Sequence, residues 1–307
     1  MNNKKKKQLI ETTQAGPVLN VVYNIIFIAL CMMCLYPVLL LFGVSFTSEE
    51  AISEFGYKLI PQEISFDAYN YLAKNGQTVM RAYVVTIAAT LTGTALNVLV
   101  NALYAYAISR NDFKYRKFFT FLQLFTMLFS GGTVPWYIIC TRVLHLTNTF
   151  WALVLPMVGS AWNIIVLRTF FKTSVPDAIV ESARIDGASE FTTFFKIVWP
   201  ISLPGIATIA LFAMLAYWNE YFNTLMLTSD GKWQNLQLYL YNILENIKAL
   251  TDTSSMAYAK AGHTVDQLPT ESVRMAVVIV TIGPIVLAYP FFQKYFIKGL
   301  TIGAVKG

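Results

Sequence analysis

Tyr217, Trp218, Asn219, Glu220, Tyr221, Phe222 and Asn223 follow one another inside a stretch that is otherwise apolar. They combine flat aromatic faces with amides and one carboxylate. That combination suits a polyhydroxylated ligand, because sugar C–H faces stack on rings while hydroxyls pair with amides and a carboxylate. An acidic group inside an apolar span is expensive and by default faces a cavity or a partner. Tyr217, Trp218, Asn219, Glu220 and Asn223 are therefore the candidate substrate path. Two roles stay open for Glu220: a direct ligand, or a structural group paired with another chain or set near the outer boundary.

A second stretch with chemistry of its own is Ser174 to Pro204, a polar interruption between two apolar spans. Ser174 followed three residues later by Asp177 makes a capping-box pattern, and Pro176 fits a first turn, where its missing N–H costs little. The pattern predicts a helix from about Val175 to Asp186. Gly187 then supplies the left-handed conformation that commonly ends a helix. Ser189 caps a second helix carrying Phe191, Phe194, Phe195, Ile197 and Val198. An elbow with apolar residues on both arms, on the wet side of a membrane protein, needs a surface to bury them against, and a partner protein is the natural one. The plainer alternative is an amphipathic loop in which Gly187 is a routine cap.

The elements that must position these two stretches are membrane helices. The 307 residues are 56% hydrophobic and only 13% charged, outside the soluble globular range. Apolar segments long enough to span a bilayer as helices run from about Val18 to Phe46, Val79 to Ser109, Lys117 to Cys140, Trp151 to Lys172, Ile201 to Leu227 and Arg274 to Phe296. The net charge of +6 is spread over span ends instead of forming a patch interleaved with exposed aromatics, which argues against nucleic acid. Lys4 to Lys7, then Arg110, Lys114, Arg116 and Lys117, then Arg184 and Lys196, then Lys298 and Lys306 all fall on one side of the predicted topology. The positive-inside rule makes that side cytoplasmic. On the other side Glu49, Glu50, Glu54, Glu63 and Asp67 outnumber Lys58 and Lys74. The chain thus divides into a cytoplasmic segment 1–17, a six-helix domain 18–296 with the elbow at 174–204 and an external loop at 228–273, and a cytoplasmic tail 297–307.

Within the spans, Ala89, Gly93, Asn97, Asn101 and Ala105 recur every four residues and predict a packing stripe, with a substrate role for Asn97 or Asn101 as the alternative. Ser130 to Pro135 predicts a broken third span facing the interior, or else an early helix end with Trp136 and Tyr137 as interfacial anchors. Cys31, Cys34 and Cys140 read as buried and inert, a Cys-x-x-Cys redox or metal pair being the alternative.

Glu181, Ala183, Asp186, Gly187, Ala188, Ile197 and Pro200 resemble the "EAA" coupling loop of bacterial ABC-importer permeases. Ser182 and Trp199 depart from the pattern, in which Ala and Leu are usual. The Trp-Asn-Glu run resembles one often found in this span in carbohydrate-type ABC permeases, and the FSGGTVP stretch with the ending KGLTIGAVKG resembles their polysaccharide and complex-oligosaccharide branch. The resemblance implies an all-α polytopic fold of type I ABC-importer permeases with six transmembrane helices and a cytoplasmic coupling helix. It implies alternating-access import of oligosaccharides or polysaccharide fragments across the cytoplasmic membrane. The implied partners are a second homologous permease, two ATPase subunits and an extracellular solute-binding lipoprotein. Glu181 and Asp186 would contact or orient the docking surface, Gly187 would set the elbow, and Ala183 and Ala188 would allow close approach.

No phosphate-binding loop of the G-x-x-x-x-G-K-[ST] type occurs, so ATP and Mg belong on the partner ATPase and no cofactor on this chain. Neither H-E-x-x-H nor G-x-S-x-G is present, and His145 and His263 are far apart, so catalysis has no foothold. Two rivals remain. One is an ABC permease for another solute such as an amino acid, phosphate or polyamine; the other is a secondary transporter that uses Glu220 as its ion site.

Overall fold

The computed structural model describes residues 17–254 and 270–304, all helix and connecting loop apart from an isolated bridge between Thr47 and Ile64. Lys4 to Lys7, His263 and Lys306 lie outside the described residues. The chain divides into two compact units, Met1–Lys74 with Ser254–Ile279, and Asn75–Thr253 with Val280–Gly307. The 35-residue helix Thr270–Ala304 begins in the first and continues in the second.

In the first unit the helix Pro17–Ser45 is apolar along its whole length and exposed over residues 18–39. Cys31 and Cys34, expected to be buried, are exposed on it, while Cys140 is buried. Burial within one chain fails here because an apolar membrane helix can satisfy its surface with lipid or another subunit. Beyond its end the loop is held by polar contacts, some local and some distant in the chain. Ser48 accepts from the Ala51 N–H as cap of the helix Glu49–Phe55 and donates to Glu63 at 2.8 Å. The Glu49 carboxylate accepts from the N–H groups of Glu271 and Ser272 at 2.9 and 3.3 Å. An acidic side chain at a helix start answers both the orphan N–H groups and the dipole. Tyr57 donates to Glu271 at 2.6 Å, and that hydrogen bond, with burial, pushes its phenol up to about 12.

The second unit is built along the 34-residue helix Gly76–Ser109. Ala89, Gly93, Asn97, Asn101 and Ala105 are all buried on it, and the helices Leu203–Trp218 and Ala161–Ser174 pack against it. Gly93 lies so close to the Tyr217 ring that a Cβ would come within 2.5 Å of it. This helix is unbroken; its neighbours are parts of bent pairs. Among the described residues only Val18–Ser45 and Gly76–Ser109 are singly long and apolar enough to cross a membrane. Three pairs pass the same test together across a bend: Arg116–Leu128 with Thr133–Val143 at 114°, Trp151–Met157 with Ala161–Ser174 at 52°, and Glu190–Ile201 with Leu203–Trp218 at 85°.

The first of these bends is the break expected at Ser130 to Pro135, with Gly132 at φ +86°. The second corrects the expectation of a continuous span from Trp151 to Lys172. Its bend is clamped by the packing stripe: Asn97 donates to the Met157 carbonyl at 2.8 Å, and Asn101 donates to the Val158 carbonyl at 3.0 Å. Asn101 also accepts the Ser160 N–H at 3.0 Å, and Asn163 donates to Asn97 at 3.1 Å. Backbone groups freed by a bend must find partners when water is excluded, and the two asparagines provide them. Both amides are thereby committed to packing. The fifth span is corrected as well: instead of running from Ile201 to Leu227, its helix stops at Trp218 and a short one restarts at Phe222–Leu227.

Candidate functional site

The elbow folds as two arms, Asp177–Ile185 and Glu190–Ile201, the second containing a π turn at Phe194–Val198. The expected capping box at Ser174 does not form. Pro176 forces Val175 into extended backbone, so the preceding helix ends at Ser174 and Pro176 itself occupies the cap position. Asp177 instead accepts a hydrogen bond from Asn111 at 2.8 Å. At the bend Gly187 has φ +79°, its N–H donating to the Arg184 carbonyl at 3.1 Å and the Ala188 N–H to the Ala183 carbonyl at 2.9 Å. This is the paired-bond helix ending that requires a left-handed residue, which explains glycine. Ser189 caps the second arm through the Thr192 N–H at 3.2 Å, as expected.

Val180, Ala183, Phe194 and Val198 are buried, and three of them share a core with Ala105, Tyr106, Ile108 and Phe171. The opposite face is open. Ile185 is 86% and Phe191 70% exposed, with Glu181, Asp186 and Gly187 exposed beside them. Of the expected coupling residues, Ala183 thus packs against its own chain, while Glu181, Asp186 and Gly187 stand on the surface. The elbow is also tied to the end of the long helix. Tyr106 donates to Glu190 at 2.7 Å, Arg184 pairs with Asp112 at 2.8 Å, and Arg110 approaches Asp112 at 3.4 Å. Burial pushes the Asp112 carboxyl up, but Arg110, a backbone hydrogen bond and Arg184 together outweigh it and hold the group below its ordinary value. Sequence reasoning passed over Tyr106, Asp112 and Glu190, whose pairing across a long separation leaves no local pattern.

At the other candidate site the five residues come together on the break that follows Trp218. Four of them turn inward: Tyr217 is 2%, Trp218 6%, Glu220 8% and Asn223 7% exposed. Tyr217 donates to the Val154 carbonyl at 2.9 Å and the Trp218 indole to the Thr281 carbonyl at 3.3 Å. The Glu220 carboxylate accepts the Asn223 N–H at 2.5 Å and the Thr224 hydroxyl at 3.1 Å, capping the helix Phe222–Leu227. Asn235 donates to the Glu220 carbonyl and caps the helix Leu236–Ser254 by accepting the Leu238 N–H at 2.9 Å. The Leu236 N–H donates to Thr86 on the long helix at 2.8 Å. Asn219 and Tyr221 face outward. Asn219 meets Gln237 at 3.3 Å, and the Tyr221 ring stacks on Tyr241 at 5.5 Å, leaving two half-open aromatic faces beside an amide.

Residues 109–302 match the family model described as the binding-protein-dependent transport system inner membrane component. The polygalacturonan/rhamnogalacturonan transport system permease protein YtcP of Bacillus subtilis is 36% identical over 90% of this chain and 94% of its own. Protein LplC of the same organism is 35% identical over 97% and 98%. The arabinooligosaccharides transport system permease protein AraQ of Halalkalibacterium halodurans is 28% identical over 96% and 99%. Among solved structures, a crystal structure of a bacterial ABC transporter involved in the import of the acidic polysaccharide alginate is similar with a TM-score of 0.77 and 28% identity. The match covers 91% of this chain and 96% of that one.

Proposed function

We propose, on the premise that this chain belongs to the family of binding-protein-dependent transport system inner membrane components, that it passes oligosaccharides or polysaccharide fragments across the membrane by alternating access. The chain is a permease subunit of a carbohydrate ABC importer, a transport component without an ATPase site of its own. Its family works with a partner permease, an ATPase and a binding protein. In our reading these are one homologous permease, two ATPase subunits that hold the ATP and Mg, and an extracellular lipoprotein. Both termini and the elbow face the cytoplasm.

The observation that carries the reading is the elbow, with Ile185 and Phe191 exposed on either side of Gly187 while the inner faces of both arms are buried. Exposed apolar side chains on a surface held rigidly from behind are what a docking partner buries. Closure of the ATPase subunits on ATP would displace the elbow and switch the bundle between inward and outward access. For that, ATP must bind one state better than the other. Along the path, Asn219 and the Tyr221–Tyr241 stack offer the sugar an amide and ring faces. Tyr217, Trp218, Glu220 and Asn223 line it from behind and hold the break in shape. The rival in which Glu220 is an ion site is disfavoured by its carboxylate, whose two oxygens are already engaged by Asn223 and Thr224.

The test is affinity purification from native membranes of the wild-type chain beside Glu181→Lys and Gly187→Pro. An ATPase and a second permease should accompany the wild type, and the ATPase should be lost or uncoupled in both variants. Wild type that purifies intact without any ATPase overturns the reading. Galacturonate-containing oligomers come first in the ligand screen on the delivery protein, because the substrates named for two of the similar proteins are acidic polysaccharides.

A further inference from the structure

Both covalent exits from the elbow are joints. On one side Val175 is extended ahead of Pro176, and on the other the chain turns 85° about Ser202 before the helix Leu203–Trp218. A push delivered to the elbow and passed along the chain would be absorbed at these joints. The elbow has another route. Its inner face, Val180, Phe194 and Val198, is buried against the end of the helix Gly76–Ser109, with the Phe194 and Tyr106 rings 5.2 Å apart. Polar contacts fix the register of that packing: Tyr106 to Glu190 on the second arm, and Asp112 to Arg184 on the first. An apolar cavity of about 470 Å³ beside them, lined by Leu103, Ala107, Phe113 and Phe191, leaves the second arm without packing on that side. On that side the Tyr106 bond adds to the packing of Phe194 and Val198 in holding the arm.

The same helix touches two of the irregular points farther along. Asn101 and Asn97 clamp the bend at Val158 to Ser160, Gly93 seats Tyr217 just before the break, and Thr86 accepts from Leu236, whose neighbour Asn235 holds the Glu220 carbonyl. A displacement of this one unbroken helix reaches the candidate substrate path without crossing a joint.

We propose that the elbow and the helix Gly76–Ser109 move as one body, with Tyr106 and Asp112 as the positioning residues that lock them, so that ATP-driven displacement enters the bundle through this helix. The proposal rests on the docking role of the elbow. Tyr106 is buried beneath the elbow, and Asp112 is exposed and lines the same cavity as Phe191, so retention of the ATPase is measured in the variants alongside the distance. The experiment uses the complex purified with its ATPase, Cys31, Cys34 and Cys140 replaced, and nitroxide labels at Lys196→Cys on the second arm and Leu91→Cys on the long helix. The distance between labels is measured with and without ATP plus vanadate. In the wild-type background it should not change. In the Tyr106→Phe, Asp112→Ala double variant the ATPase should still co-purify and hydrolyse ATP, but the distance should shift or broaden on ATP by about 5 Å, the scale of a one-turn slip between packed elements. Asp112→Glu in place of Asp112→Ala should narrow it again. A wild-type distance that itself changes on ATP, a double variant indistinguishable from wild type, or loss of the ATPase from the double variant each overturns the proposal. A wild-type preparation without ATPase removes the docking role, and the lock falls with it.

Discussion

The elbow and the break after Trp218 are the same device used in opposite ways. Each is a pair of helices joined by a few irregular residues, and in each a side chain near the start of the second helix caps it, Ser189 through Thr192 and Glu220 through Asn223. At the elbow the polar cap is exposed and the apolar residues Ile185 and Phe191 project outward. At the break the charged cap is 8% exposed and its carboxylate is engaged by Asn223 and Thr224. Apolar side chains left exposed among the described residues are what a partner would bury, whereas a polar group buried with its partners holds a shape.

Substitutions can break or sharpen that contrast. The largest effect on stability should come from Glu220→Ala, which leaves a buried N–H and hydroxyl without their acceptor. Removing a cap and orphaning buried donors costs about 2–4 kcal/mol, read as a lower unfolding midpoint in detergent, while Glu220→Gln, which keeps an acceptor, should cost less than half of that. An unchanged midpoint in Glu220→Ala would return the residue to the role of free ligand. Next is Gly93→Ala, where the added methyl meets the Tyr217 ring; overpacking of this kind costs about 1–3 kcal/mol and should impair transport through the displaced break.

The elbow should behave in the reverse sense. Ile185→Ala combined with Phe191→Ala removes exposed side chains, so unfolding should shift by no more than about 0.5 kcal/mol. Retention of the ATPase should nevertheless fall by about tenfold or more, since burying one such side chain at an interface is worth roughly 1.5–3 kcal/mol. If the double variant unfolds early but still holds the ATPase, the contrast between the two regions collapses. The smallest effect belongs to Asp112. Its carboxyl is held low, so the stability it supplies is present above its unfolded value, about 4, and is lost as pH falls through the folded one. The pair is exposed and worth at most about 1 kcal/mol, so Asp112→Asn should only flatten the acid limb of a stability–pH profile slightly.

Much of the fold was legible because its signals are local. Gly187, Ser189 and the apolar arms mark the elbow within a dozen residues, and the every-fourth-residue stripe from Ala89 to Ala105 marks the buried face of the long helix. The 52° bend was legible in part, in Pro156 and Gly159, but hydropathy over a whole window hid it. Glu220 was noticed for being charged in an apolar span, but its role could not be read off. A carboxylate followed three and four residues later by Asn223 and Thr224 is compatible with a cap, yet whether it caps or binds depends on where the helix stops.

Sequence alone determined that this chain is a helical membrane protein with a helix–glycine–helix elbow, because span length, charge placement and helix caps depend on residues near one another in the chain. Only the tertiary structure decided which polar groups are free. Tyr106 with Glu190, Asp112 with Arg184, Asn101 with Val158 and Glu220 with Asn235 meet across 15 to 84 residues. In a medium without water a polar group takes whichever partner the packing brings, and that choice is made by the fold.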